Sequence, residues 1–154
     1  MASKRVEDFI AKNRIDVRIV EFQESTKTSQ AAANVLGCEI SQIGKSIVFV
    51  GDNETVVVIL SGDKKVDVSK LKNIIGSEVK IASGNTVKQR TGYPIGGVPP
   101  FPHNDGVRVL IDETIERFDE IWVACGTPNS VMKMRVPDIK AITRANVVSL
   151  SIES

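Results

Sequence analysis

The sequence predicts an α/β (α+β) fold in one domain spanning residues 1–154: a mixed, largely antiparallel, curved sheet flanked by short helices. Three observations predict it. Lys45–Val50 and Thr55–Leu60 are apolar, β-branched runs joined by Gly51-Asp-Asn-Glu54, a hairpin pattern. Further strand-like runs recur singly between short helical stretches, without a regular βαβ rhythm. No internal repeat, low-complexity tract or long linker divides the chain, and 42% hydrophobic with 25% charged residues suits one packed core.

The elements follow in order. Ser3 is placed to cap a helix reaching about Lys12, with Val6, Phe9 and Ile10 on one face. Val17–Phe22 alternates as a strand. Thr28–Gly37 reads as a capped, alanine-rich helix that Gly37 ends in a left-handed conformation. After the hairpin, Asp67 caps a helix carrying Val68, Leu71, Ile74 and Ile75, and Gly76 stops it. A strand over Glu78–Ala82 follows, then a polar helix capped by Asn85 and running to Thr91, with Gly92 as its stop. Later come strand Val107–Ile111, a helical turn at Thr114–Phe118, strand Glu120–Ala124 and the loop Gly126–Ser130. Val131–Val136 leads to Pro137 in the first turn of a helix, where its missing N–H is harmless, and Val147–Ile152 closes the chain as a strand. Trp122 and Phe118 read as core.

Composition removes whole classes of function. A formal net charge of +1 supplies no global field for nucleic acid, so any such contact is local; Lys64, Lys65, Lys70, Lys72, Lys80, Lys88 and Arg90 are the candidate patch. No apolar run approaches a membrane helix, and the first residues enter an amphipathic pattern without a signal-peptide core, so a cytoplasmic protein with no membrane partner is expected. Cys38 and Cys125 form no C-x-x-C pair and read as small hydrophobes. His103 is the single histidine, which removes His-rich zinc sites and metalloprotease motifs. No G-x-S-x-G, G-x-G-x-x-G or phosphate-binding G-x-x-x-x-G-K-[ST] occurs. No metal and no organic cofactor is expected.

Gly92–His103 holds four prolines and three glycines in twelve residues. Proline fixes φ and lacks a donor, so this run is neither helix nor central strand. Its glycines allow backbone to approach a ligand where a Cβ would clash, which marks a shaped contact surface or a structural corner. His103, in this loop, reads as structural rather than as a catalytic base.

Gln30-Ala-Ala-Ala-Asn-Val-Leu-Gly37 followed by Ile43-Gly-Lys-Ser-Ile-Val-Phe49, then Gly96-Gly-Val-Pro-Pro100, then Cys125-Gly-Thr-Pro-Asn-Ser130, together resemble the YbaK family of aminoacyl-tRNA deacylases. That family includes the editing domain inserted in bacterial prolyl-tRNA synthetases, and the resemblance covers nearly the whole chain. It implies hydrolysis of the ester joining a wrong amino acid to the terminal adenosine of tRNA, by a free-standing enzyme acting on tRNA-Pro that carries a small residue such as Ala, Cys or Ser. The family lysine falls on Lys45 and its GxxxP feature on Gly96 and Pro100. The resemblance assigns Lys45 to the terminal phosphate or ribose, the backbone of Gly96, Gly97 and Pro100 to the reacting ester, and Gly126 and Thr127 to the wall of the amino-acid pocket. Ser46 is a further substrate-side position at which relatives differ. Some relatives carry a histidine in the last loop, where this chain has Thr127-Pro-Asn.

Chemistry accommodates so sparse a site. An aminoacyl ester is already activated, so orienting water and stabilising the developing oxyanion suffice, and the family is thought to use the substrate's own ribose hydroxyl to orient that water. A synthetase cannot strongly reject a smaller amino acid, since one methylene is worth only ~1–3 kcal/mol, which creates the need for a second, correcting site. The expected partners are the acceptor end of mischarged tRNA and, as a further candidate, prolyl-tRNA synthetase; monomer and homodimer both stay open. A non-catalytic tRNA- or synthetase-binding module is the competing class.

Overall fold

The computed structural model describes residues 2–23 and 28–153. Its centre is the hairpin of β2 (Ile43–Val50) and β3 (Thr55–Ser61). Every residue of β3 is buried, because both faces of the sheet are covered: Val57 and Ile59 enter one core, Val56, Val58 and Leu60 the other. This explains the unbroken apolar run where a half-exposed strand would alternate.

Around this hairpin lie β1 (Arg18–Glu21), β5 (Lys80–Ile81), β6 (Val107–Asp112), β7 (Glu120–Ala124), β8 (Ser130–Arg135) and β9 (Asn146–Val148). The sheet order is β1-β8-β7-β2-β3-β6-β9, with β5 also against β2. Antiparallel pairs join β1–β8, β7–β8, β2–β3 and β2–β5, while β2–β7, β3–β6 and β6–β9 are parallel, so the sheet is mixed as expected. A separate ribbon pairs β4 (Lys64–Val66) with β10 (Ser151–Glu153).

Helices cover the two faces. On one, α1 (Lys4–Asn13) contributes Val6, α4 (Gly84–Thr91) contributes Val87 and α5 (Val136–Thr143) contributes Ile139, joined by Val98 and Phe101 of the Gly/Pro loop. On the other, α2 (Ser29–Leu36) packs Ala32 and Ala33 against Ile43 and Trp122, and α3 (Val68–Ile75) packs Leu71 against Phe49 and Leu60. Trp122 and Phe118 belong to these cores, as their apolar context implies.

Several local expectations change. The cap of α4 is Ser83, whose Oγ accepts from the Thr86 N–H at 3.3 Å, and Asn85 sits inside the first turn. Ser3 occupies the N-cap position of α1 without a side-chain capping bond. The strand expected at Glu78–Ala82 contracts to Lys80–Ile81. The closing strand divides in two: Asp112 captures the Leu150 N–H at 2.7 Å and the Leu150 carbonyl accepts from Asp67 N at 2.7 Å, which turns the chain out of the main sheet before β10. Lys45 stands third in β2, not at its start. Four of the seven basic residues are engaged within the fold: Lys64 pairs with Glu153, Lys72 with Glu78, Lys88 donates to the Gly92 carbonyl and Arg90 to Thr55 Oγ1.

Candidate functional site

The sheet is open beside β2. One edge of that strand is paired with β3 throughout Gly44–Val50. The other edge meets β7 only at Ile43 and Gly44, and β5 only at Phe49 and Val50, with one more bond from Ala82 N to the Val48 carbonyl. Between these contacts, Lys45, Ser46 and Ile47 have no strand on this edge among the described residues. The Gly62 N–H donates to the Ile43 carbonyl, which directs the main-chain groups of odd-numbered β2 residues toward β3. The N–H and C=O of Ser46 therefore face the opening.

A cleft of about 460 Å³ occupies this opening, lined by Thr28, Gln30, Lys45, Ser46, Gly96 and Val98 among others. A smaller recess of about 60 Å³ adjoins it, the two sharing Ser46, Ile47, Ile95, Gly96 and Val98. The Gly/Pro loop roofs both. Pro94 to Gly97 form a tight turn, with the Gly97 N–H donating to the Pro94 carbonyl at 2.9 Å and Gly96 at φ +82°, a conformation that favours glycine. Ile95 stands at its tip, 50% exposed.

Lys45 lies on the α2 side of the sheet, half-buried, with Nζ 3.5 Å from the Gly62 carbonyl. Burial pulls its ammonium below the ordinary 10.5, and the nearby Asp63 carboxylate partly opposes that. Burial in turn disfavours charge on Asp63, but hydrogen bonds from Arg117 (3.0 Å) and Ser61 outweigh it and hold Asp63 below its usual value. Arg117 also donates to Ser61 Oγ at 2.8 Å, so an ordered anion stands near the lysine.

Ser46 points to the opposite face, as alternate strand residues must. Its Oγ is buried and has no hydrogen-bond partner among the described residues. An unsatisfied buried hydroxyl costs about 1–3 kcal/mol, and among the described residues only His103 Nδ1 shares this condition.

The remaining expected site residues lie behind the roof. Gly97 is buried, and a Cβ on it would stand 2.7 Å from the Thr127 carbonyl carbon, so the two loops meet backbone to backbone. Thr127 Oγ1 is engaged with Ser130 Oγ at 2.6 Å and Asn129 Oδ1 at 3.0 Å. Gly126, at φ +94°, packs against Ser3 and Val6 of the first helix and does not line the cleft. Pro100 lines a different cavity of about 400 Å³ together with His103. Of the expected set, then, Lys45, Ser46 and Gly96 line the cleft, while Gly97, Pro100, Gly126 and Thr127 do not.

The loop is pinned from the rear. His103 Nε2 lies 2.8 Å from the Pro99 carbonyl, which can only accept, so Nε2 carries the proton, and the buried Nδ1 has no partner among the described residues. Burial lowers the His103 pKa, with Arg5 adding to that effect and the Pro99 bond opposing it. Tyr93 donates to the Pro102 carbonyl at 2.7 Å; burial pushes its phenol up to about 12, so it stays a neutral donor. Arg5 lies 5.0 Å over the Tyr93 ring and donates to Asn104 Oδ1 at 2.9 Å.

Sequence reasoning missed Gly44, Gly62, Ile95 and Val98 as site residues. Gly44 carried a signal: a glycine inside a strand marks a close approach, and here a Cβ would stand 2.7 Å from Ile121 Cδ1. Gly62 supplies the carbonyl that meets Lys45. Both thiols are free; burial, with Glu7 and Glu21, pushes Cys125 up to about 12. Among the described residues no cluster of three or more His, Cys, Asp or Glu is placed to hold a metal, and no helix is long and apolar enough to cross a membrane.

Comparison with known proteins gives the family and the fold. The family model for the aminoacyl-tRNA editing domain matches residues 23–142. An uncharacterized Bacillus subtilis protein, YwhH, is 32% identical over 130 residues, covering 84% of this chain and 83% of its own. The Escherichia coli multifunctional Ser/Thr-tRNA deacylase ProXp-y is 27% identical over 152 residues, covering 95% of this chain and 90% of its own. A crystal structure of a proposed trans-editing enzyme for prolyl tRNA synthetase superposes with a TM-score of 0.87 at 31% identity, over 99% of both chains.

Proposed function

The chain belongs to the aminoacyl-tRNA editing domain family, and on that premise we propose that it is a free-standing, cytoplasmic deacylase that hydrolyses the ester of mischarged tRNA. Its preferred substrate in this reading is tRNA-Pro carrying a small amino acid such as Ala, Cys or Ser, with prolyl-tRNA synthetase as the enzyme whose errors it corrects. The observation that carries the reading is the opening beside β2, where a lysine ammonium, an unpaired strand edge and a glycine turn face one cleft.

Each group has a task there. Lys45 holds the terminal phosphate or ribose as a compact point charge. The reacting carbonyl sits under the Gly96 turn. Because the Gly97 N–H is engaged with Pro94, the amides that reach a developing oxyanion in this scheme are those of Gly96 and Val98. Fixed amide dipoles in a partly desolvated cleft stabilise that charge without reorganising during reaction. Water attacks the ester carbon, the tetrahedral intermediate collapses, and the ribose oxygen leaves with a proton. Gly97, Pro100, Gly126 and Thr127 position the roof.

The test is a deacylation series on tRNA-Pro charged with alanine, cysteine, serine, proline and phenylalanine. Cleavage of the three small esters with little action on the prolyl ester is expected. Preferential cleavage of the phenylalanyl ester overturns the size argument. Tight tRNA binding without turnover moves the protein to the non-catalytic class.

A further inference from the structure

The small recess beside the cleft is apolar apart from one side chain. Val48, Ala82, Val87 and Val98 of the main core form much of its wall, and among the described residues Ser46 is the single polar side chain lining it. Ser46 shares its strand face with Val48 and Val50, so its side chain projects to the recess side while Lys45 projects to the other. Its Oγ is shut off from bulk solvent, and no group among the described residues satisfies it.

Volume restricts what enters. A water claims about 30 Å³ of liquid, so about 60 Å³ admits two or three heavy atoms. That range includes a methyl, a hydroxymethyl, an ethyl and a hydroxyethyl group. A purely apolar recess separates these poorly, because it cannot strongly reject a hydroxyl on an isosteric group. A lone hydroxyl waiting for a partner changes that balance: a ligand hydroxyl completes it, and an alkyl group of equal size leaves it unpaired.

We propose that Ser46 is a specificity-determining residue, its Oγ pairing with the side-chain hydroxyl of a seryl or threonyl ester seated in the recess. This rests on the deacylase reading above and narrows it: among small side chains, those bearing a hydroxyl are preferred over alkyl groups of the same shape.

Two isosteric pairs test it, seryl against 2-aminobutyryl and threonyl against valyl esters, all on one tRNA. The kcat/KM ratio within each pair is measured for the wild type and for Ser46→Ala, with melting curves alongside. The wild type should favour the hydroxyl member by about tenfold or more, and Ser46→Ala should bring the ratio close to one. A wild-type ratio near one, or a ratio that Ser46→Ala leaves intact, overturns the assignment of Ser46 while leaving deacylation standing. An equal loss on both members of a pair also overturns it, since that marks a general rather than a selective role. No cleavage of any ester overturns this inference and the deacylase reading together.

Discussion

Gly97 and Thr127 touch main chain to main chain: a Cβ on Gly97 would lie 2.7 Å from the carbonyl carbon of Thr127 and 2.9 Å from its Cα. Neither atom belongs to a flexible side-chain end, so any larger residue must drive the two loops apart. Gly97→Val should lower kcat/KM by at least tenfold and cost about 1–3 kcal/mol of stability, the usual range for overpacking. Turnover and melting measured on the same preparation decide it. Wild-type turnover in a folded Gly97→Val protein would show that the roof does not need this contact.

Lys45→Ala removes a charge-assisted contact worth about 1.5–3 kcal/mol, so kcat/KM should fall roughly ten- to a hundredfold or more. Lys45→Arg should restore only part, because a planar fork fits poorly where a compact ammonium sat. Melting should change little in either.

The same lysine sets an alkaline limit. In the proposed scheme activity requires the ammonium, and burial holds its pKa below 10.5. Activity should therefore be lost as pH rises through a value lower than that of an ordinary lysine. In Lys45→Arg the loss should shift to higher pH, since guanidinium stays charged. Rates corrected for spontaneous ester hydrolysis at each pH provide the measurement; an unshifted alkaline limb in Lys45→Arg assigns it to another group.

His103 links stability to acidity. Its folded pKa lies below the ordinary 6.5, so between the two values the unfolded chain binds more protons than the folded one. Stability should be fully present above pH 6.5 and decline as pH falls toward the folded value. His103→Gln keeps an N–H for the Pro99 carbonyl without a group that titrates in this range, so its melting temperature should fall less between pH 7.5 and 5.5. Identical pH profiles would place the acid sensitivity elsewhere.

Gly126→Ala separates support from substrate contact. The new Cβ would stand 2.2 Å from Ser3 Cβ at a φ of +94°, so helix α1 must move. A loss of about 2–4 kcal/mol is expected from strain plus overpacking, far more than the loss from Lys45→Ala. Unchanged melting would return Gly126 to the list of pocket-wall residues.

Much of the fold was legible because its strands are β-branched and its helices carry explicit stops. Gly37, Gly76 and Gly92 each end a helix at positive φ, where the sequence placed them. The β4–β10 ribbon was not legible: Lys64-Lys-Val66 is too short and polar to show a period, and β10 depends on Asp112 catching Leu150 from 38 residues away. At the candidate site, Lys45, Ser46 and Gly96 were picked out by motif, and all three line one cleft. The recess and the unpaired stretch of β2 were invisible beforehand, because strand neighbours on an edge are a property of topology rather than of any local pattern.

That unpaired stretch also governs how such a site can be resized. β7 approaches β2 in parallel from one end and β5 approaches antiparallel from the other. The interval left between them is counted in whole residues, about 3.3 Å each. Trimming a side chain changes the pocket by a methyl group. Lengthening β7 would instead close the seam residue by residue, and shortening β5 would widen it by a full step. Dimensions of this kind change by increments, so an insertion at a strand end resets the span of the cleft by a fixed step rather than by a fraction of one.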